Sequence, residues 1–107
     1  MLKDLYNIEF DVIEVERIDD GVGSYIENEI VRSAANKGLV EPIGGEERFQ
    51  MQKVEAVAEY RLFCDLVVDI DEANRVRING KIYEVMDLRR YDLGVSKHQE
   101  IYLKIIK

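Results

Sequence analysis

The chain has 107 residues, of which 47% are hydrophobic and 35% charged, and it carries a net charge of -7 at neutral pH. This length suits one domain, and the composition is too apolar for a disordered chain and too interrupted by charges for a membrane span. The acidic balance argues against a general affinity for nucleic acid, since phosphate binding needs clustered Lys and Arg. We expect a soluble domain over residues 1–107, in the cytoplasm because no apolar signal-peptide core follows the first charge.

The first third of the chain predicts a β-hairpin with an irregular first strand. Residues 8–18 alternate between apolar and polar side chains, and the alternation changes phase at Val12 and Ile13, which is the pattern of a β-bulge. Residues 19–24 contain two glycines and short polar side chains typical of a tight turn. Residues 25–31 are predicted to form the returning strand. A further connection is expected at residues 33–38, followed by a short extended segment at residues 39–43.

Residues 44–58 are the one stretch with helical character. They are rich in Glu, Gln, Met, Lys and Ala, which favour helices. The apolar stripe that a helix would present is narrow, however, because Lys53 separates Phe49 from Val57 on the same face. A short helix and an exposed, mobile loop are equally good interpretations.

The second half of the chain has a strong β signal. Tyr60–Cys64 has strand composition, and a second apolar run at residues 67–70 precedes a polar turn at residues 71–74. Asn79-Gly80, between two β-rich runs, is the residue pair that a type I′ hairpin turn prefers. The second run continues to Arg90, and after a loop at residues 91–97 a last strand covers residues 98–106. These elements predict an all-β fold with minor α content, a small β-barrel or sandwich of about six strands.

Chemical motifs are weak throughout the sequence. Residues 69–80 begin like a calcium-binding loop, but Ala73 and Gly80 stand where ligands are needed. His98 is the only histidine and Cys64 the only cysteine, and no nucleophile, base and orienting group stand at a recognisable spacing. We predict no catalytic residues, no cofactor and no metal, and expect Cys64 to pack as a small apolar residue.

The order of elements resembles that of a known family. Tyr60–Cys64 and residues 68–70 precede the hairpin at residues 74–85, and residues 98–104 end the pattern. With a Gly-containing hairpin at the start and a long loop after residues 39–43, the chain resembles the head-closure, or head-tail joining, proteins of long-tailed bacteriophages. It departs from them at residues 71–74, where members carry a Gly-Asp turn, and in lacking a tryptophan near the first hairpin.

The resemblance implies a structural connector protein of a phage or prophage rather than an enzyme. Such proteins form an oligomeric ring beneath the portal, close the channel after DNA packaging and receive the tail. The implied partners are the portal adaptor and tail proteins, with packaged DNA contacted only indirectly and no membrane. The implied locations are the host cytoplasm during assembly and then the virion neck. The long loop is implied to face the channel, through Gly44, Gly45, Glu46, Glu47, Arg48, Phe49, Gln50, Met51, Gln52 and Lys53.

Charge is distributed unevenly along the chain. Residues 1–29 hold nine acids against two bases, whereas residues 74–107 hold four acids against eight bases. This asymmetry has two interpretations: a surface charged for solubility, or a subunit with faces of opposite sign that suit head-to-tail contacts. In a ring, the second interpretation assigns the contact charges to Glu14, Glu16, Arg75, Arg77, Arg89 and Arg90.

Two other functions fit the sequence. One is a different connector subunit of the tail-terminator type, which forms a ring by the same logic. The other is an acidic inhibitor that imitates DNA, and it requires the acids of residues 1–29 to lie on one continuous face. The basic C-terminal segment speaks against the inhibitor.

Overall fold

The computed structural model describes residues 5–44, 58–94 and 97–106 of the chain. Each strand pairs with its neighbours in antiparallel fashion, in the order β1-β2-β3-β6-β5-β4, and β4 pairs back to β1 to form a closed barrel. The all-β expectation and the predicted number of strands are confirmed. Most of the predicted loop or helix at residues 44–58 lies outside the described residues. The strands are β1 (Ile8–Asp19), β2 (Tyr25–Pro42), β3 (Tyr60–Cys64), β4 (Arg75–Ile78), β5 (Lys81–Tyr91) and β6 (His98–Ile105).

The predicted irregularity in β1 is confirmed. The β1–β2 register shifts between Phe10 and Val12 and again between Val12 and Ile13. Because of these shifts, all three apolar side chains are buried, although strict alternation would expose one of two consecutive residues. The phase change in the sequence therefore marked a β-bulge.

The connection predicted at residues 33–38 is wrong, because β2 continues through it without a break. Ala35 has a φ angle of 55°, and two side-chain hydrogen bonds stabilise the strand at this irregular position. The Asp11 carboxylate accepts the Ala35 N–H at 2.9 Å, and the Asn36 side-chain amide donates to the Phe10 carbonyl at 3.2 Å. These two hydrogen bonds replace backbone hydrogen bonds that the β1–β2 pair lacks at the irregularity. The small and polar residues that suggested a turn therefore form a bulge.

The β4–β5 hairpin is confirmed at Asn79-Gly80. Their φ angles are 50° and 80°, and Ile78 and Lys81 face each other across the turn. Two positive φ angles are the requirement of a type I′ turn, which only residues such as Asn and Gly meet at low cost. This turn fixes the register of the strands that carry Arg75 and Arg77.

The apolar run at residues 67–70 belongs to a loop, residues 65–74, that packs against the core of the closed sheet. Gln99 of β6 is buried, and its side-chain amide donates to the carbonyls of Asp65 at 2.9 Å and Val68 at 2.8 Å. Val68 and Ile70 point inward while Val67 is exposed. The loop is therefore fixed to β6, and it supports the base of the surface described below.

The core is formed by apolar side chains of β1, β3, β4, β5, β6 and the 65–74 loop. Each fully buried large side chain contributes about 1.5–3 kcal/mol to folding. Cys64 is among these buried residues, as predicted. The members are Phe10, Val12, Leu62, Cys64, Val68, Ile70, Val76, Ile78, Tyr83, Val85, Ile101 and Leu103.

Gly38 of β2 lies against β3, with no room for a side chain. An added Cβ would stand 2.8 Å from the Phe63 carbonyl oxygen and 2.9 Å from the Leu62 side chain. The variant Gly38→Ala is expected to lower the free energy of unfolding by about 1–3 kcal/mol, because a backbone carbonyl in the β2–β3 ladder cannot move aside cheaply. Urea denaturation measures this difference. The control is Gly44→Ala, whose Cβ would meet nothing within 4 Å, and equal losses in the two variants would contradict the prediction.

Candidate protein-binding surface

The hairpin formed by β1 and β2 extends beyond the closed sheet as a two-stranded ribbon. β4 pairs with β1 only over residues 11–13, and β3 pairs with β2 only over residues 38–42. Residues 14–31, called the arm below, therefore pair only within the β1–β2 hairpin among the described residues. Six residues of β1 in the arm span about 20 Å at the usual rise of a strand. The longest dimension of the molecule is 51 Å, against 31 and 26 Å for the other two.

The tip of the arm is ordered by two aspartates. Asp19 accepts the Gly21 N–H at 2.9 Å, and Asp20 accepts the Val22 N–H at 2.9 Å as well as the Ser24 hydroxyl. The Ser24 hydroxyl, followed by the backbone donors, lowers the pKa of Asp20 below its usual value. The turn predicted from composition is confirmed, and its local bonds hold the tip without support from the closed sheet.

Large apolar side chains are exposed along the arm. Val22 at the tip is 84% exposed, and Tyr25, Ile26 and Ile18 are 63%, 61% and 48% exposed. A two-stranded hairpin on its own is marginally stable in water, and contiguous exposed apolar side chains mark binding surfaces. The exposed apolar side chains make the arm a candidate binding surface.

The two faces of the arm follow from the β1–β2 register, because directly opposed residues share a face. The first face joins Ile18 to Ile26 and also carries acidic and amide groups. The second face carries most of the charge. The rungs of the first face are Glu14–Ile30, Glu16–Asn28 and Ile18–Ile26, and those of the second are Val15–Glu29, Arg17–Glu27 and Asp19–Tyr25.

The base of the arm is fixed to the closed sheet by arginines. Arg75 of β4 binds Glu27 at 2.8 Å and Glu29 at 3.2 Å. Arg32, just beyond the arm on β2, binds Asp69 of the 65–74 loop at 2.8 Å. These contacts orient the arm while its tip remains in solvent.

A further ion pair lies where β1 leaves the closed sheet. The Asp11 carboxylate accepts Arg77 donors at 2.7 and 3.1 Å in addition to the Ala35 N–H. The pKa of Asp11 is lowered, mainly by the hydrogen bond from the Ala35 N–H and next by those from Arg77. Asp11 thus joins β4 to the irregular part of β2 through one side chain.

The lowered pKa of Asp11 makes stability depend on pH in a known direction. A carboxyl group whose pKa falls on folding stabilises the fold above its unfolded pKa, near 4, and this contribution is lost as the pH falls through the folded value. Below pH 4, we expect the free energy of unfolding to fall less steeply in Asp11→Asn than in the unmodified protein. Urea titrations at several pH values measure this difference. Glu72→Gln, which removes an exposed carboxylate elsewhere, serves as the control. An unchanged acid slope in Asp11→Asn would contradict the assignment.

The six charges predicted for a subunit interface lie in three places. Glu14 and Glu16 are on the arm, where Glu16 accepts the Asn28 amide at 3.4 Å. Arg75 and Arg77 make the ion pairs described above, with partners inside the chain. Glu27 and Glu29, which bind Arg75, were not singled out from the sequence, although their alternation with Ile26 and Ile30 is the pattern of a strand with one charged face.

Arg89 and Arg90 lie together on β5, away from these acids in the sheet order. Arg89 contacts Asp87 at 3.3 Å and its guanidinium lies 5.3 Å from the centre of the Tyr102 ring. Arg90 donates to the Ile70 carbonyl at 3.4 Å. These contacts hold Arg90 next to the 65–74 loop and Arg89 beside Tyr102 of β6.

The predicted channel-facing residues Gly45 to Lys53 lie outside the described residues. The ends of this segment are fixed, because Ile43 and Ala58 are buried with Tyr102 on the outside of the closed sheet. The Ile43 N–H also donates to the Glu59 carbonyl at 2.9 Å. The segment therefore starts and ends next to each other, beside β6.

Reactive groups are few on the described surface. Burial raises the pKa of the Cys64 thiol to about 12, so that it remains protonated at neutral pH. His98 stacks on Tyr91 with ring centres 5.0 Å apart and lies 3.3 Å from the Glu100 carboxylate. In the described ranges, no group of three or more His, Cys, Asp or Glu side chains is arranged to hold a metal ion.

Comparisons with known proteins add no relative. No family model matches the chain, and the curated proteins contain no match to its sequence. Among the described residues, no helix has the length and apolar character needed to cross a membrane.

Proposed function

We propose that the protein is a structural connector subunit of a phage or prophage neck, which binds other proteins and catalyses no reaction. In this function it forms a ring at the head-tail interface, closes the portal channel after DNA packaging and docks the tail. The observation that carries the proposal is the arm, with its exposed apolar side chains and its charged base fixed to a closed sheet. The order of elements shared with head-closure proteins supports the proposal.

The arm favours binding of protein over other kinds of ligand. Its exposed side chains include isoleucine, valine and tyrosine, and exposed apolar and aromatic side chains are typical of protein interfaces. A surface that binds nucleic acid would instead expose clustered Lys and Arg side chains. Arg75 and Arg77 form ion pairs with carboxylates of the same chain. The partners in the proposal are neighbouring copies, the portal adaptor and tail proteins.

A tail-terminator type of connector is the second candidate, since it uses the same ring logic and would use the arm in the same way. The DNA-mimic inhibitor is disfavoured by the register of the arm. Glu14 and Glu16 lie on one face and Glu27 and Glu29 on the other, next to Arg17 and Arg75. An inhibitor of that kind needs one continuous acidic face.

The experiment that tests the proposal is a joining assay. DNA-filled heads and free tails from the encoding phage or prophage are mixed with the purified protein, and joined particles are counted by electron microscopy. The proposal predicts joined particles only when the protein is present. A protein that binds neither heads nor tails would overturn the proposal. Binding to the tail tube rather than to the portal adaptor would favour the tail-terminator alternative.

A pair of variants tests the part played by the arm. Val22→Ser removes the most exposed apolar side chain of the tip, while Val67→Ser removes a side chain of nearly equal exposure on the 65–74 loop. Val22→Ser is expected to reduce joining, and Val67→Ser is expected to leave it unchanged. Equal behaviour of the two variants would contradict the assignment of the binding surface to the arm.

A further inference from the structure

The arm has two free edges in addition to its two faces. No described strand pairs with the outer edge of β2 over residues 25–37 or with the outer edge of β1 over residues 14–19. Alternate backbone N–H and C=O groups point outward along such edges and are ready to pair with another strand. Lys, Pro and β-bulges often block such edges. Residues 14–19 and 25–34 contain no Lys or Pro, whereas the bulge at Ala35 and Lys37 lie at the end nearest the closed sheet.

We propose that the arms of neighbouring copies of this chain stack edge to edge, the β2 edge of one copy pairing with the β1 edge of the next. This inference rests on the ring of the proposed function and specifies its joint. β1 and β2 run in opposite directions within one arm, so arms placed side by side in the same orientation alternate strand directions. Every new pair of strands is then antiparallel, and neighbouring subunits differ only by the rotation that closes the ring.

The side chains of the arm match in this arrangement. If each rung continues into the next copy, Ile18 of one copy lies beside Ile26 of its neighbour, so the isoleucines form a continuous apolar row. Arg17 then lies between Glu27 of its own chain and Glu27 of the neighbour, which makes a row of alternating charge. Opposite charges and apolar pairs that face each other across strands stabilise a sheet.

Repulsion between acidic arms is reduced by contacts that already exist in each chain. Glu27 and Glu29 are both bound by Arg75 at the base. Arg17 contributes a further positive charge on the same face, with its guanidinium 5.7 Å from the centre of the Tyr25 ring. The second face therefore presents both signs of charge to a neighbouring arm.

A symmetric pairing of two β2 edges fits less well. Residues 25–31 are nearly palindromic around Asn28, so an antiparallel pair of β2 strands would centre on this residue. Glu27 of each copy would then face Glu29 of the other, and like charges directly opposed destabilise a sheet. Such a pair would also stop at two copies, whereas the contact between different edges can continue around a ring.

Single cysteine variants distinguish these arrangements. Ile18→Cys and Ile26→Cys are prepared separately, mixed, and oxidised both at high protein concentration and in joined particles. Directly opposed residues lie within the distance range of a disulfide, so the proposal predicts a cross-linked dimer containing one copy of each variant. Neither variant alone is expected to cross-link, and the unmodified protein controls for the buried Cys64.

Two results would overturn the inference. One is the absence of the mixed dimer under both conditions, and the other is efficient cross-linking of Asn28→Cys alone, which indicates the symmetric pairing. If joined particles form normally without the mixed dimer, the neck function stands and the subunits meet through another surface. If no joined particles form but the mixed dimer does, the joint stands and the neck function fails.

Discussion

Shortening the arm is expected to abolish head-tail joining while leaving the closed sheet folded. Val15 and Glu29 face each other directly, so residues 16–28 can be replaced by Asn-Gly, the turn that already joins β4 to β5. The core side chains all lie outside the deleted segment. The shortened protein should retain cooperative thermal unfolding and should produce no joined particles above the level without added protein.

The control for this deletion keeps the length of the arm and changes its chemistry at one position. Ile26→Ala shortens one exposed side chain and retains both strands. It should reduce joining to an intermediate level, because one apolar contact is lost while the backbone edges remain. Normal joining by the shortened protein would show that the proposed function does not need the arm. Loss of cooperative unfolding in the shortened protein would show instead that the arm is part of the domain's core.

The largest effect on stability is expected from Ile101→Ala. Ile101 of β6 is completely buried and stands between Leu62 of β3 and Leu88 of β5. Truncation of such a residue costs about 2–5 kcal/mol, since the transfer energy is lost and a cavity remains. A domain of this size has a total stability of roughly 5–15 kcal/mol, so the melting temperature should fall strongly.

Ile26→Ala is the matched control for this prediction, since it makes the same chemical change at a residue that is 61% exposed. Its effect on unfolding should stay within about 0.5 kcal/mol, as for most surface substitutions. Urea denaturation of both variants measures the contrast. Similar losses in the two variants would mean that the arm is packed against the rest of the protein in solution.

Local sequence signals predicted the features that depend on a few neighbouring residues. The Asn79-Gly80 turn follows from the positive φ angles that these two residues tolerate. The bulge in β1 follows from the consecutive apolar residues Val12 and Ile13, which cannot both be buried in a regular strand. The same logic failed for residues 33–38, because a small, polar stretch suits a bulge as well as a turn. The distinction was made by Asp11, a residue 24 positions away from Ala35.

The candidate binding surface could not be predicted from sequence patterns. Ile18 and Ile26 have the alternation of core residues, and they are exposed because, within residues 5–44, 58–94 and 97–106, no third strand or loop covers that part of the hairpin. The ion pairs of Arg75 with Glu27 and Glu29 join residues 48 and 46 positions apart. The uneven charge along the chain suggested that the acids of residues 1–29 and the bases of residues 74–107 lie on opposite faces of a subunit. The fold instead brings Glu27, Glu29 and Arg75 together within the same subunit.

By itself, the sequence determined that this protein is all-β, where its tight turns and its bulge lie, and that Cys64 is a core residue. These properties depend on backbone preferences and on the alternation of side chains within a strand. Only the tertiary structure decided that β2 runs through residues 33–38, that the sheet closes on itself, and that residues 14–31 leave it as an arm. These features depend on which strands find a neighbour on each edge, and that is a matter of long-range pairing.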